Sequence, residues 1–357
     1  MHSNQARRCA DITLTNGGEN SILCQQTPEV KLLGPSAQGL ATTLAGSEIL
    51  VVVGPTAVGK TAVAIEVARQ IGGEIISADS MQVYRYMDIG TAKPSAIERD
   101  RTRFHLIDIA FPDQQMTVSE WKRLAEASIL EIQSRGKVAI VCGGTGLYVR
   151  ALLDDWQLAE TPGDPALRSQ LRARCEKAGP QLLHRELAEL DPASAARLHP
   201  NDAVRIVRAL EVFYATGIAI SDFQRNDRER ANRRPARRIG LTLPRPELYE
   251  RINFRVDQMI GAGLEAEVRW LLSHGFPAET GSMKSLGYKE MAQHASGQMG
   301  YSETVSAIKQ NTRRYAKRQQ TWFRGDSAIQ WIDVSAHNSA TVAGLILSRL
   351  EKEHGNH

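Results

Sequence analysis

The sequence predicts an α/β chain, a mainly parallel sheet flanked by helices and interrupted by an all-helical insertion. Three observations predict it. The stretch EILVVVGPTAVGKTA, Glu48 to Ala62, joins a short apolar, mostly β-branched run to a glycine-bounded turn and then to helical spacing. Further short apolar runs alternate with helical patterns, as βαβ units require. After about Leu158 the strand signals stop, and they return at Arg238 to Leu243 (RIGLTL), as in a sheet resumed after an insertion.

In chain order, residues 1–46 are polar and aperiodic and read as a flexible extension. Ile49 to Val53 is the first strand, and TAVAIEVARQIG is a helix ending before Gly72-Gly73. Glu74 to Ser77 forms a second strand leading into Ala78-Asp79-Ser80-Met81-Gln82. Phe104 to Ile109 and Val138 to Cys142 are further strands, with a helix over about Val118 to Ser134 between them. The break ETPGDP precedes four helical pieces, LRSQLRARCEKAG, PQLLHRELAELD, PASAARLH and NDAVRIVRALEVFYATG, separated by Gly-Pro, Asp-Pro and Pro-Asn. Long amphipathic patterns follow in ELYERINFRVDQMIGAGLEAEVRWLLSHG and SETVSAIKQNTRRYAKRQQTWF. The expected organisation is therefore an extension (1–46), the first part of the core (47–158), a helical insertion (159–235), the second part of the core with a basic helix (236–335) and a tail (336–357).

With 357 residues, 42% apolar and 24% charged, the chain has the composition of an ordinary globular protein. No apolar run approaches the ~18 residues that a bilayer crossing needs, and no secretory pattern opens the chain. A cytoplasmic, monomeric protein is the expectation. Cys9, Cys24, Cys142 and Cys175 are scattered without a C-x-x-C pair, which argues against a zinc site or a disulfide framework. Net charge is only +4, yet two tracts are locally basic: RERANRRPARR (Arg228 to Arg238) holds six arginines and one acid, and KQNTRRYAKRQQTWFR (Lys309 to Arg324) holds six bases and no acid. Each tract is either a solvated face or the footprint of a polyanion such as nucleic acid.

The strongest chemical signal is Gly54-Pro55-Thr56-Ala57-Val58-Gly59-Lys60-Thr61, which fits G-x-x-x-x-G-K-[ST] between a strand and a helix, the P-loop arrangement. Such a loop aims backbone N–H groups and a helix N-terminus at phosphoryl oxygens, whether of a nucleotide or of a diphosphate. Lys60 is placed to bind terminal phosphate oxygens and Thr61 to ligate Mg²⁺. A nucleoside triphosphatase or kinase would also need an apolar strand ending in Asp. The strand Val138 to Val141 ends in Cys-Gly-Gly-Thr instead, and Asp108 in HLID is a weak substitute. Asp79, after the second strand, falls on the ligand side of an open sheet, either as a chemical group or as a turn former.

Seven ordered blocks, GPTAVGKT, ISADSMQVYRYMDIGTAKP, VCGGTGLYVRALL, LHPNDAVRIVRALEV, ERINFRVDQMIGAGLEAEV, MKSLGYKEM and TRRYAKRQQTWF, resemble the tRNA dimethylallyltransferase family, the tRNA isopentenyl (A37) transferases. The likeness runs from about Ile49 to Trp331. It implies a P-loop NTPase-like fold and transfer of the dimethylallyl group of dimethylallyl diphosphate to N6 of adenine 37, in the anticodon stem-loop of tRNAs that read codons beginning with U. It further implies Asp79 as the base, Lys60 and Arg255 on the diphosphate, and Thr145 beside the target adenine. For tRNA it implies contacts at Asp79, Ser80, Met81, Gln82, Thr145 and Arg168, at Val204, Arg205, Ile206, Val207 and Arg208, and at Met283, Lys284, Ser285, Leu286, Gly287 and Tyr288. A free-adenylate isopentenyltransferase shares the loop and the aspartate but has little use for a helical insertion; a P-loop kinase or NTPase is the other alternative.

Overall fold

The computed structural model describes residues 48–156, 165–229 and 234–354. The extension expected over residues 1–46 lies outside them. The core opens with strand β1 (Ile49–Val53), helix α1 (Lys60–Ile71) and strand β2 (Gly73–Ser77). Helix α2 (Ala96–Arg101), strand β3 (Phe104–His105), helix α3 (Val118–Ser134), strand β4 (Val138–Gly143) and helix α4 (Gly146–Leu153) follow. All strand pairings are parallel, and with β5 (Ala236–Thr242) and β6 (Gln330–Asp333) the sheet order is β3-β2-β4-β1-β5-β6.

Strand β1 is apolar throughout because both sheet faces are covered. Leu50 and Val52 pack with Val63, Val67 and Ile71 of α1 on one face; Ile49, Val51 and Val53 pack with Trp121, Ala125 and Ile129 of α3 on the other. The pairing Val53↔Gly143 on one flank of β4 and Ser77↔Cys142 on the other puts the chain exits of β1, β2 and β4 side by side at the carboxyl edge. That edge is the topological crevice in which open α/β sheets bind ligands.

The insertion comprises α5 (Pro165–Ala178), α6 (Pro180–Leu190), α7 (Pro192–Ala195), α8 (Ala203–Thr216) and α9 (Ile220–Glu229), around its own cluster of Leu171, Leu183, Leu187, Ile206 and Leu210. Returning to the core, β5 leads into α10 (Arg245–Gly261), α11 (Leu264–Ser273), α12 (Tyr288–Ala295), α13 (Tyr301–Arg324), β6 and α14 (Ser339–His354).

Four expectations about the elements need correction. The long pattern beginning at Glu247 is two helices, because Gly263 takes a left-handed conformation (φ 98°) that ends one and starts the next. The strand expected over Phe104 to Ile109 stops at His105, since Leu106 and Asp108 have positive φ. Strand β6 and helices α2, α4, α9 and α12 were not anticipated as elements. The C-terminal tail is largely a helix, with Val342, Ala343, Ile346, Leu347 and Leu350 packed in the cluster that holds α1.

The arginine tract also reads differently in three dimensions. Arg237 Nε donates to Glu48 (2.9 Å), Arg238 Nη1 to Asp326 (2.8 Å) and Arg234 Nη2 to Glu126 (3.4 Å). These three arginines tie β5 and its approach to the core, because β5 is an interior strand whose flanking groups are close to its neighbours. Residues 230–233, including Arg233, lie outside the described residues.

Candidate active site

Three loops at the carboxyl edge build the site. The loop after β1 carries Gly54 to Thr61, the turn after β2 carries Asp79 to Gln82, and the turn after β4 carries Gly144 and Thr145. Gly54 (φ 148°) is required by close approach, because a Cβ there would lie 2.5 Å from the Leu241 carbonyl oxygen. Ala57 holds a left-handed φ of 66°, a conformation that costs a non-glycine residue about 1 kcal/mol and that curls successive N–H groups toward one point. Lys60 opens α1 and folds its Nζ back onto the Pro55 carbonyl (2.8 Å), capping the loop where a phosphate would sit.

Asp79 and Thr145 are brought together by the sheet order. The Thr145 N–H donates to the Ala78 carbonyl (3.0 Å), and Thr145 Oγ1 accepts from the Ser80 N–H (2.9 Å). Asp79 Oδ1 accepts from the Met81 N–H (2.9 Å), so the residue does form the turn that its position allows. Its Oδ2 carries no hydrogen bond among the described residues. From α10, Arg255 reaches across to donate to Thr56 Oγ1 (3.4 Å).

The electrostatics of this cleft favour a multivalent anion. Burial pushes the Lys60 ammonium down to about 8, with Arg255 adding to the drop and Asp79 opposing it. Burial likewise holds the Arg255 guanidinium below its ordinary value, again opposed by Asp79. Two desolvated cations share one carboxylate, next to the positive end of α1, which leaves the cleft short of negative charge. Burial also pushes the Cys142 thiol up to about 12, which makes it an inert strand residue as its setting in VAIVC implied.

Thr61, beside Lys60 in the first turn of α1, offers one hard oxygen. Mg²⁺ is commonly held by one or two protein oxygens plus substrate phosphates, so this donor fits the ion. No group of three or more His, Cys, Asp or Glu arranged for a metal occurs among the described residues. Asp108 is engaged elsewhere, accepting from Lys93 (2.5 Å) and Arg99 (2.9 Å), which hold its carboxyl below the usual range against the opposing effect of burial.

The expected RNA contacts divide by exposure. Val204 (78% exposed), Arg205 and Arg208 line the outer face of α8, and Lys284 is exposed. Ser80, Met81, Thr145, Ser285 and Leu286 are half-buried. Six others need correction as side-chain contacts, because they are packed inside. Ile206 and Val207 belong to the core of the insertion. Met283 and Tyr288 are fully buried, the latter with its hydroxyl donating to Glu267 (2.5 Å). Gln82 is hydrogen-bonded to Ser77 Oγ (3.0 Å), and buried Gly287 donates its N–H to Glu290 (2.9 Å). Arg168 braces the insertion through bonds of 2.7 and 3.1 Å to buried Glu211. A resemblance transfers whole segments, whereas a helix shows only part of each segment to solvent.

Sequence reasoning missed Gln319 and Tyr315 on α13. Tyr315 interacts with Thr145 and Gln319, and burial pushes its phenol up to about 12. A signal for Gln319 existed in the periodicity. It falls on the buried face of α13 with Thr312, Ala316 and Phe323, where an amide has to find partners.

The chain is similar to known proteins. A family model described as IPP transferase matches residues 82–326. A tRNA dimethylallyltransferase of Geobacter metallireducens is 50% identical over 287 residues, covering 80% of this chain and 93% of its own. A second, from Trichlorobacter lovleyi, is 48% identical over 295 residues, covering 82% and 96%. The crystal structure of a tRNA isopentenylpyrophosphate transferase from Bacillus halodurans superposes with a TM-score of 0.64 at 38% identity, over 87% of this chain and 100% of that one. A eukaryotic dimethylallyltransferase acting on tRNA gives a TM-score of 0.71 at 26% identity, over 85% and 79%. A family match across most of the described core, with relatives aligned over nearly their whole length, leaves one assignment: the chain belongs to the IPP transferase family.

Proposed function

We propose that the chain transfers the dimethylallyl group from dimethylallyl diphosphate to N6 of adenine 37 in tRNAs reading codons that begin with U. The observation that carries this reading is the convergence of a phosphate loop, two desolvated cations and one carboxylate with an open oxygen on a single crevice. The diphosphate lies on the loop amides from Ala57 to Thr61, with Lys60 and Arg255 on its oxygens and Thr56 beside them. Thr61 would hold Mg²⁺, which when bound would add charge neutralisation at the leaving group. The N6 lone pair attacks the allylic carbon, the carbon–oxygen bond breaks, and its electron pair leaves on the diphosphate. Asp79 Oδ2 accepts the N6 proton, a contribution of roughly 10²–10⁴-fold. Thr145 accepts or donates at the base edge.

The adenine leaves its stack to reach this crevice, as bases do for chemistry on their edges. The exposed face of α8 and Lys284 supply positive charge for the anticodon stem-loop. On this reading, with tRNA as its substrate, the protein works in the cytoplasm, as a monomer. The kinase or NTPase alternative is disfavoured by the ion pairs that occupy Asp108.

The test is direct. Purified protein is incubated with labelled dimethylallyl diphosphate, Mg²⁺, AMP and ATP, with or without an anticodon stem-loop carrying A37 or G37, and nucleosides and nucleotides are resolved by mass spectrometry. N6-isopentenyladenosine from the A37 substrate alone is expected. Label on adenylate in preference to RNA, or RNA-independent hydrolysis of ATP as the main activity, would overturn the reading.

A further inference from the structure

Helix α13 lays Tyr315, Gln319 and Trp322 along the turn that follows β4. Spacings of four and three residues put them on one helical face. Each meets one residue of the turn. Tyr315 interacts with Thr145, Gln319 packs on Gly144, and Trp322 packs on Gly146. The fit has no slack: a Cβ on Gly144 would lie 2.2 Å from Gln319 Nε2, and one on Gly146 would lie 2.2 Å from Trp322 Cδ1.

Gln319 does more than pack. It is 6% exposed, its Nε2 donates to the Gly144 carbonyl (2.9 Å), and its Oε1 accepts from the Thr56 N–H (2.8 Å). One carboxamide therefore joins the phosphate loop to the turn that carries Thr145, across 263 and 175 residues of sequence. Of the side chains of this length, only an uncharged amide or a protonated carboxyl donates and accepts at once in this way. Both tethered residues adjoin reacting groups. Thr56 receives the Arg255 hydrogen bond, and Gly144 precedes the threonine that fixes the Ser80 N–H beside Asp79.

We propose that Gln319 is a positioning residue that sets the distance between the diphosphate loop and the acceptor-base turn. The proposal rests on the transfer reaction above, in which one substrate sits on each loop. A reaction between two such substrates is sensitive to their separation, and a misplacement of about 1 Å costs on the order of 10²-fold in rate.

Two variants test it. Gln319→Ala is expected to lower the single-turnover rate at saturating substrates by about 10²-fold, while the affinities for dimethylallyl diphosphate and stem-loop RNA, measured separately, change by less than about ten-fold. Gln319→Glu keeps the acceptor for Thr56 but, when ionised, turns a negative oxygen on the Gly144 carbonyl. Protonation restores both bonds, and burial raises a carboxyl's pKa, so the variant-to-wild-type rate ratio rises as pH falls from about 8 to about 6. A rate per folded molecule near wild type for Gln319→Ala, or a flat ratio for Gln319→Glu, would overturn the proposal. Hydrogen exchange supplies a readout independent of transfer: residues 54–61 and 143–147 lose protection together in Gln319→Ala. Loss confined to one segment, or to neither, would also overturn it. Should wild-type protein transfer nothing, the functional reading falls, and the exchange pattern still decides the role of Gln319.

Discussion

The two ends of strand β2 each carry a carboxylate, Glu74 near its start and Asp79 just past its finish, and the chain treats them oppositely. Glu74 is 2% exposed and saturated: Arg135 donates two bonds of 2.8 Å, Lys137 donates one of 2.8 Å, and His105 Nε2 lies 2.8 Å away. Burial alone would push its carboxyl up, but the hydrogen bonds from Arg135, Lys137 and His105 outweigh that and hold it at about 2. Asp79 has one backbone partner and sits in the field of Lys60 and Arg255, two cations whose pKa values burial lowers. At the amino edge of the sheet a carboxylate is used up in joining β2 to its neighbours. At the carboxyl edge the strands diverge into loops, and a carboxylate keeps an oxygen for a ligand. The same residue chemistry is saturated as scaffold or keeps an oxygen open according to which end of a parallel strand it occupies.

Replacing Asp79 and then Glu74 probes that contrast, with the larger effect expected first. Asp79→Asn keeps the shape and the turn but cannot take a proton. The single-turnover transfer rate should fall by about 10²-fold or more, with RNA and diphosphate affinities within a few-fold and an unchanged melting temperature. A near wild-type rate would make Asp79 a turn former like any other and erase the contrast.

Glu74→Gln should do the reverse. With Arg135 and Lys137 partly solvated, a loss of about 2 kcal/mol of stability is expected, read as a lower denaturation midpoint with the rate per folded molecule preserved. The folded carboxyl is lowered from 4.5 to about 2, so its contribution is fully present above about 4.5 and is lost as pH falls toward about 2. The Gln variant should lack that segment of the acid-denaturation curve.

Lys60 links the contrast to ligand binding. In the free protein its ammonium is lowered to about 8, so diphosphate affinity should weaken as pH rises through about 8 and the charge is lost. Calorimetric titration with inorganic diphosphate at several pH values measures this. Lys60→Arg should remove the dependence, and Lys60→Ala should lower diphosphate affinity at every pH while leaving RNA affinity near wild type. Equal loss of both ligands would place Lys60 on the RNA path as well.

The smallest expected effect compares two kinds of arginine. Arg205, 71% exposed on α8, should contribute one phosphate contact; Arg205→Ala should weaken stem-loop binding a few-fold and flatten the log–log salt slope by about 1. Arg238, 10% exposed and paired with Asp326, should change stability on substitution and leave the slope alone. A flattened slope for Arg238→Ala would restore the arginine tract as an RNA footprint.

The phosphate loop was legible in the linear chain because its requirements are local. Glycine must stand where backbones crowd, and a strand and a helix must flank the turn. The positions of Asp79 and Thr145 after strands were legible for a related reason, since a parallel strand delivers its next residues to the ligand edge whatever its neighbours are. The alternation of strands and helices, read with the apolar run of β1, likewise implied a sheet covered on both faces. What tertiary structure decided were the matters that depend on which distant segments touch. The order β2-β4-β1 set Asp79 and Thr145 side by side, the ion pairs of Arg237 and Arg238 turned the last residues of a basic tract into fasteners, and the rotation of α8 hid Ile206 and Val207 while showing Arg205. The two bonds of Gln319 belong here too. A glutamine on the buried face of a helix has to find partners, but its own sequence neighbourhood cannot say which loops, 175 and 263 residues away, will supply them, because that is fixed only when the helix docks across the carboxyl edge of the sheet.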